Sequence, residues 1–404
     1  EPVREYHDCG GALPAVALLS NGGYTVMIDE RGCGFSKCGN VDISEWHNFG
    51  TEGNPGMQIF IYDKENRSVM NATGSDGLSA DDYKVWFSES NAKFYKKNGG
   101  MICETEVAVS GEENAELRLV KVTNTANCSL TVEITAFVRL VLNRRESFDA
   151  HPSFSDMFVV TEGELGGEAS SCVFSESKEY GNTENKRTAC SVTVKAMRRK
   201  RSIEDMGCFA AMSLSGDCGF EGRAQFDTNL ITFLGRGGGS ALPQAVADDL
   251  PLAMESGTVL YPCFAVRGTV KVMPGETESV RIVMAFAESR QELEGIIEKL
   301  SGKRNFMRAF DFATADSRAE KEYIGIKNGE YAMFGRLLPP VFYGNICGSR
   351  YVSPRTRCKD ALRALWCNGI SGDRPIVSVF VRNTENGEFI RRAVRFKVFA
   401  AVRG

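Results

Sequence analysis

From about Val16 to Phe286, hydrophobic and polar residues alternate in short runs broken by Gly, Asn, Asp and Ser. This is the period-two pattern of antiparallel strands. Runs of this kind are Tyr24 to Ile28, Gln58 to Tyr62, Tyr83 to Phe87, Ile102 to Val109, Glu116 to Val122 and Leu130 to Leu142. Asn114, Asn124 and Asn127 sit where the chain must reverse. The runs Glu116 to Thr123 and Leu130 to Phe137 are therefore expected to form one long hairpin with a single apolar face. So many one-sided faces are most naturally buried between two facing sheets, and the fold class expected is mainly β.

The texture changes near Ser289. Leu293, Ile296, Ile297 and Leu300 follow the i, i+3, i+4, i+7 spacing of an amphipathic helix. A second helix is expected over Ser317 to Ile324, and Leu337-Leu338-Pro339-Pro340 reads as a linker, because proline removes a backbone donor and crowds the preceding turn. A last helix, roughly Glu385 to Val402, is apolar at Phe389, Ala393, Phe396 and Ala400 but also at Ile390, Val394, Phe399 and Ala401. Such a broad surface needs cover on more than one side. No later residue supplies it, so the rest of a helical body is expected to be missing, with a homodimer interface as the alternative. The expected organisation is a β domain over 1–288, a helical linker over 289–364 and the start of a helical domain over 365–404.

Composition narrows the function classes only slightly. With 404 residues, 43% hydrophobic, 25% charged and a net charge of -4, the chain has the make-up of a soluble globular protein and no global pull toward nucleic acid or anionic membrane. No apolar run nears the ~20 residues of a bilayer crossing, and Glu1 to Tyr6 lacks the layout of a signal peptide. The thirteen cysteines are odd in number and form no C-x-x-C pair, which predicts reduced, mostly buried thiols and a cytoplasmic location. Only His7, His47 and His151 are present, so a histidine-rich metal site is excluded.

A few positions combine chemistry with exposure-prone context. Asp373 lies between Gly372 and Arg374-Pro375, seven residues after Trp366; a carboxylate taking two hydroxyls beside an aromatic face is a common way to hold a sugar. A turn or helix cap is the plainer role for Asp373. Arg236 is flanked by Gly235 and Gly237-Gly238-Gly239, where glycines let a ligand approach the backbone. The string is not a P-loop, lacking the G-K-[ST] ending and a following helix; fastening a sheet to a loop or to a barrel is the plainer role for Arg236. Trp46, Trp86 and Tyr83 either stack a glycan or are buried in the sandwich. Arg198-Arg199-Lys200-Arg201 reads as a solvated loop tip.

Four segments taken in order carry a resemblance. They are Leu18 to Met27, containing Ser20-Asn21-Gly22-Gly23, with Gly34-Phe35-Ser36 soon after; His151-Pro152-Ser153-Phe154 through Glu162; Phe233-Leu234-Gly235-Arg236-Gly237; and Gly369-Ile370-Ser371-Gly372-Asp373. Together they resemble the glycoside phosphorylase family that contains cellobiose phosphorylase. Within it, they are most similar to the branch of β-1,2-oligoglucan phosphorylase and the C-terminal part of cyclic β-1,2-glucan synthase.

The resemblance implies a β-supersandwich of galactose mutarotase-like fold, then a helical linker, then an (α/α)6 barrel holding an aspartate general acid. It implies an inverting reaction in which inorganic phosphate replaces water, a design that needs a protonated carboxyl at the leaving oxygen and cationic donors around phosphate. By the resemblance that acid lies beyond Gly404. The chain itself is then a non-catalytic scaffold without catalytic residue, metal or cofactor of its own, and inorganic phosphate is a co-substrate of the larger enzyme. Its implied partners are a β-glucan oligosaccharide and the barrel, with no nucleic acid. Asp373 matches the family's donor-sugar aspartate at the barrel mouth, so Asp373, Trp366 and Arg236 are the sugar-binding candidates. The chain departs from the family pattern at Gly23 and Glu45, where arginines are usual, and at Asp227-Thr228-Asn229, where a Thr-Asp-Arg triplet is usual. Two other classes are weighed beside the scaffold: a stand-alone carbohydrate-binding module, and a mutarotase-like epimerase with His151 as acid and Glu162 as base.

Overall fold

The computed structural model describes residues 3–7, 13–47, 56–75, 81–166, 191–202, 207–327, 329–343, 361–371, 376, 377, 379 and 387–403. The chain opens with strands β1 (Arg4–Tyr6), β2 (Val16–Ser20), β3 (Tyr24–Asp29), β4 (Gly34–Cys38) and β5 (Val41–Ser44). Next come β6 (Gln58–Asp63), β7 (Ser68–Asn71), β8 (Asp82–Phe87), β9 (Asn91–Asn98), β10 (Met101–Val109), β11 (Ala115–Asn124) and β12 (Leu130–Asn143). Short helices α1 (Arg145–Ala150) and α2 (Pro152–Asp156) precede β13 (Val159–Gly166), β14 (Ser191–Arg198), β15 (Cys208–Gly216) and β16 (Gln225–Asn229). After α3 (Leu230–Leu234) and α4 (Gln244–Ala247), strands β17 (Pro262–Val272) and β18 (Thr277–Ala287) finish the β part. Helices α5 (Arg290–Ser301), α6 (Lys303–Ile324), α7 (Glu330–Tyr343), α8 (Ala361–Cys367) and α9 (Gly387–Val402) follow.

The expected mainly-β sandwich is what forms. One nine-stranded antiparallel sheet runs β1-β8-β9-β10-β11-β18-β15-β14-β13, and the other runs β16-β17-β12-β5-β4-β3-β2 with β6 and β7 joined at β12. Alternate side chains, among them Phe94, Val107, Val120, Ile134, Val266 and Met284, meet in the core between the sheets. The other faces are covered too. Leu117, Leu119 and Val283 lie under Leu293, Ile296, Ile297 and Leu300 of α5 and Phe306 of α6, so all four residues of the sequence-predicted helical stripe are buried. Ser289 caps that helix by accepting a hydrogen bond from the Glu292 amide at 3.3 Å. Phe60 and Phe137 pack on Phe233 and Val246 from α3 and α4.

This double cover explains why the expected hairpin does not form. β11 pairs with β10 and β18 in the first sheet, whereas β12 pairs with β17, β6 and β5 in the second. Between them the chain crosses the sandwich, and buried Asn124 holds the crossing by donating Nδ2 to the Cys128 carbonyl at 2.7 Å and the Val272 carbonyl at 3.0 Å. A one-faced hairpin would leave Leu117, Leu119 or Phe137 uncovered; in two sheets each has its own helical lid.

Four other expectations are corrected. Pro339 and Pro340 lie inside α7, because the Gly335 carbonyl, which Pro339 cannot serve, accepts instead from Arg4 Nη1 at 3.2 Å. Helix α6 begins at Lys303, well before Ser317, since its inner stripe also contains Phe306, Ala309 and Ala313. Among the eight described cysteines only Cys103, Cys208 and Cys263 are buried, while Cys128 and Cys218, on loops beyond strand ends, and Cys367 are exposed. The basic run is likewise not all solvated: Arg198 is buried, donating to the Ser155 carbonyl at 3.1 Å with its guanidinium over Phe158.

Candidate functional site

Of the sequence-derived sugar candidates, Arg236 and Trp366 fall within the described residues. Arg236 is exposed on the turn after α3. The preceding Phe233 is fully buried and stacks on Phe137 at 4.6 Å. The neighbouring glycines serve packing: a Cβ on Gly235 (φ 68°) would lie 2.7 Å from the Gln244 Cβ, and one on Gly238 would lie 2.2 Å from the Leu234 carbonyl oxygen. Trp366, on α8, is 63% exposed, and its Nε1 donates to the Ser371 carbonyl at 3.2 Å. Asp373 lies outside the described residues. Among the described residues no hydrogen bond or ion pair joins Arg236 to Trp366.

Among the described residues no hydrogen bond joins His151 to Glu162. His151 is exposed at the junction of α1 and α2. Glu162 is gripped by Arg290 at 2.5 and 3.0 Å, which holds its carboxyl below the usual range and makes it a weaker base. At the departures from the family pattern, Glu45 pairs with His47 at 3.0 Å and with Arg139 at 3.5 Å, and Asn229 caps α3 by accepting from the Ile231 amide at 3.1 Å.

What the fold does assemble is a polar and aromatic joint between the sandwich and its C-terminal helices. Strand β3 ends at Asp29, whose Oδ1 accepts from the amides of Arg31 and Cys33 at 2.9 and 2.8 Å, making a tight turn. Its Oδ2 accepts from the Tyr343 hydroxyl of α7 at 2.7 Å. Trp46 meets Tyr343 edge-on at 5.6 Å and also touches Phe35, which packs on Phe342 at 5.8 Å. Burial raises the Asp29 carboxyl to about 6, against the pull of Tyr343 and the two amides. Trp46 is thus buried outside the sandwich, where sheet meets helix.

Helix α9 is fixed to the same edge by its end. Arg403, 2% exposed, donates Nη1 to the carbonyls of Leu18 and Glu89 at 2.8 and 3.2 Å and Nη2 to Glu320 of α6 at 2.6 Å. Its guanidinium lies 5.0 Å from the Phe399 ring centroid. Thr25 of β3 donates to the Arg403 carbonyl at 2.9 Å. Farther along, Arg395 meets Glu330 of α7 at 2.6 and 3.1 Å. Phe396 and Phe399 are buried, while Phe389, Ile390 and Val394 remain exposed. Among the described residues of this joint, Asp29, Glu320, Glu330, Arg395 and Arg403 are engaged with one another or with backbone groups, an arrangement that holds the helices in place. No sequence signal exposed it, because its partners lie hundreds of residues apart.

Comparison with known proteins places this arrangement. The family model described as the supersandwich domain of glycosyl hydrolase 94 matches residues 2–303. The cyclic β-(1,2)-glucan synthase NdvB of Rhizobium meliloti (strain 1021) is 27% identical over 391 residues, covering 96% of this chain and 13% of that protein. The chain therefore spans about an eighth of that relative. Among solved structures, a bacterial glucoamylase complexed with acarbose has TM-score 0.44 at 8% identity, covering 85% of this chain and 44% of that one. A putative kojibiose phosphorylase from the human microbiome has TM-score 0.40 at 5% identity, covering 78% and 37%. A putative aldose 1-epimerase of Escherichia coli K12 has TM-score 0.37 at 9% identity, covering 67% and 98%. These structural likenesses bear on neither substrate nor mechanism.

Proposed function

The chain belongs to the glycosyl hydrolase 94 supersandwich family, and from that premise we propose that it is the non-catalytic sandwich and linker of a β-glucan-active glycoside phosphorylase or cyclic β-1,2-glucan synthase-like protein. Its work is to present helices α6, α7 and α9 to a catalytic (α/α)6 barrel. In that barrel inorganic phosphate, as co-substrate, cleaves or forms the β-glucosidic bond with inversion, and a barrel carboxyl protonates the leaving oxygen. Asp373 and Trp366, on the segment toward the barrel, are the proposed donor-sugar contacts, and Arg236 remains a candidate on the sandwich. The cytoplasm is the proposed location. Among the described residues no helix is long and apolar enough to cross a membrane.

The observation that carries the reading is the joint itself, taken with the family match. Arg403, Glu330 and Asp29 fix α7 and α9 with buried, directional bonds, yet the outer stripe of α9, with Phe389, Ile390 and Val394, is left apolar and exposed. Helices anchored on one side and apolar on the other mark a surface for a partner. The test incubates the chain with β-1,2-gluco-oligosaccharides and phosphate, beside a longer polypeptide that adds the barrel. Only the longer one should release sugar 1-phosphate. Release by the chain alone overturns the non-catalytic role; inertness of the longer polypeptide with every β-glucan overturns the enzymatic reading.

A further inference from the structure

On the opposite side of the molecule from the α3–α4 cover, a cleft of about 250 Å3 opens where the β10–β11 loop faces α5 and α6. Its floor is apolar, made by Leu300 and Ala309, and its walls carry Glu112, Lys299, Asn305, Arg308 and Phe312. The Arg308 guanidinium lies over the Phe312 ring at 5.0 Å, and Lys299 bridges Glu112 at 2.9 Å and Glu113 at 2.6 Å.

The cleft is preformed. Asn21, in the first of the resemblance segments, donates its Nδ2 to the carbonyls of Ser110 at 2.7 Å and Glu113 at 2.9 Å, which pins both ends of the loop. At Gly111 a Cβ would sit 3.3 Å from the Asp316 Cβ, so the loop lies close against α6. Asn21 therefore builds one wall of this cleft from a turn nearly ninety positions earlier in the chain.

We propose that this cleft is a secondary subsite for a neutral sugar, one or two glucosyl units of a β-glucan chain. The size is just under the ~300–1,000 Å3 of sites for drug-sized ligands. The lining supplies what a hexose requires: carboxylate oxygens that accept hydroxyl protons, amide and guanidinium donors for hydroxyl oxygens, and an aromatic ring with an apolar floor for the C–H face. The charges decide against an anion. The lining carries Glu112, Lys299 and Arg308, and Lys299 is held by Glu112 and by Glu113 just outside the lining, so Arg308 is the one lining cation outside that ion-pair cluster and, with Glu113 counted, no net positive charge is left to attract phosphate. Such a subsite would hold a glucan chain on the sandwich.

The choice of a glucan rests on the function proposed above; the site itself does not. The test titrates the full chain, by heteronuclear NMR or calorimetry, with sophorose, longer β-1,2-gluco-oligosaccharides, an unrelated neutral disaccharide and inorganic phosphate. Saturable binding of the β-1,2 sugars is expected, weakened at least tenfold by Phe312→Ala and by Asn305→Ala and unchanged by Tyr323→Ala, an exposed position of α6 outside the cleft. Both positions in the cleft are exposed, and a circular dichroism melt checks that the variants stay folded. Binding of the unrelated disaccharide alone, lost in Phe312→Ala, supports the site and counts against the β-glucan reading. No saturable sugar binding, sugar binding indifferent to both cleft variants, or tighter binding of phosphate in the cleft overturns the proposal.

Discussion

Replacing Asp29 by asparagine should make this protein more stable at neutral pH, and the gain should vanish in acid. Asp29 is almost fully buried beneath Tyr343 and the turn that follows β3, and burial lifts its carboxyl from 3.8 to about 6. A raised carboxyl pKa means that, between these values, the native state binds a proton that the unfolded state has released. Stability then falls as pH rises through this window. At about 1.4 kcal/mol per tenfold change in proton affinity, the shift corresponds to ~3 kcal/mol lost by pH 7.

An amide of the same shape avoids the loss. Its Oδ1 still accepts from the amides of Arg31 and Cys33, and its Nδ2 faces Tyr343, whose hydroxyl turns from donor to acceptor at a cost of about 1 kcal/mol. The net expectation for Asp29→Asn is a gain of ~2 kcal/mol at pH 7, shrinking toward zero or slightly below by about pH 3.5. Urea unfolding of both proteins across this range, followed by tryptophan fluorescence, measures the difference directly. A variant that is less stable at pH 7, or a difference that does not change between pH 4 and 7, refutes the reasoning.

Arg403→Ala should cost ~3 kcal/mol in the same urea experiment, because it leaves Glu320 without its buried partner and strips the carbonyls of Leu18 and Glu89; a loss under about 0.5 kcal/mol would show that α9 is not anchored there. Gly335→Ala places a Cβ 2.5 Å from the Arg4 Cζ and should displace the guanidinium from the carbonyl beneath Pro339, costing about 1–3 kcal/mol, with unchanged stability as the opposing result. Under native thiol labelling mapped by mass spectrometry, Cys128, Cys218 and Cys367 should react quickly. Cys103, whose thiol burial pushes up to about 12, and Cys263, which burial holds well above the usual thiol range, should stay unmodified until unfolding.

The parts of this fold that the chain announces are those whose cause is local. Period-two runs gave strands because each strand has an inner face, and the Leu293, Ile296, Ile297, Leu300 spacing gave α5 because one helical stripe lies on the sheet. What stayed hidden depends on partners far away. The crossing at Asn124 looked like a hairpin because its flanking strands are equally apolar, and only the helical lids of the two sheets distinguish the alternatives. The double proline looked like a break because the donor that serves the Gly335 carbonyl in place of the missing N–H comes from Arg4, 331 positions before Gly335.

The same division governs the site. The segments that carried the family resemblance contain residues that build turns and fill cores: Asn21 pins a loop, Phe233 plugs a sheet face, and Gly235 lets α3 and α4 close together. Such residues identify a scaffold because packing tolerates few substitutes, and they say little about chemistry because none of them needs to touch a ligand. The side chains with the greatest functional interest lie beside or outside those segments: Asp29 follows the first of them by two residues, and Tyr343 and Phe312 come from helices that carry none. In a sandwich of this size, where α6, α7 and α9 all return to strands laid down near the start of the chain, function is set by which distant surfaces the helices bring together, and that is a property of the folded topology.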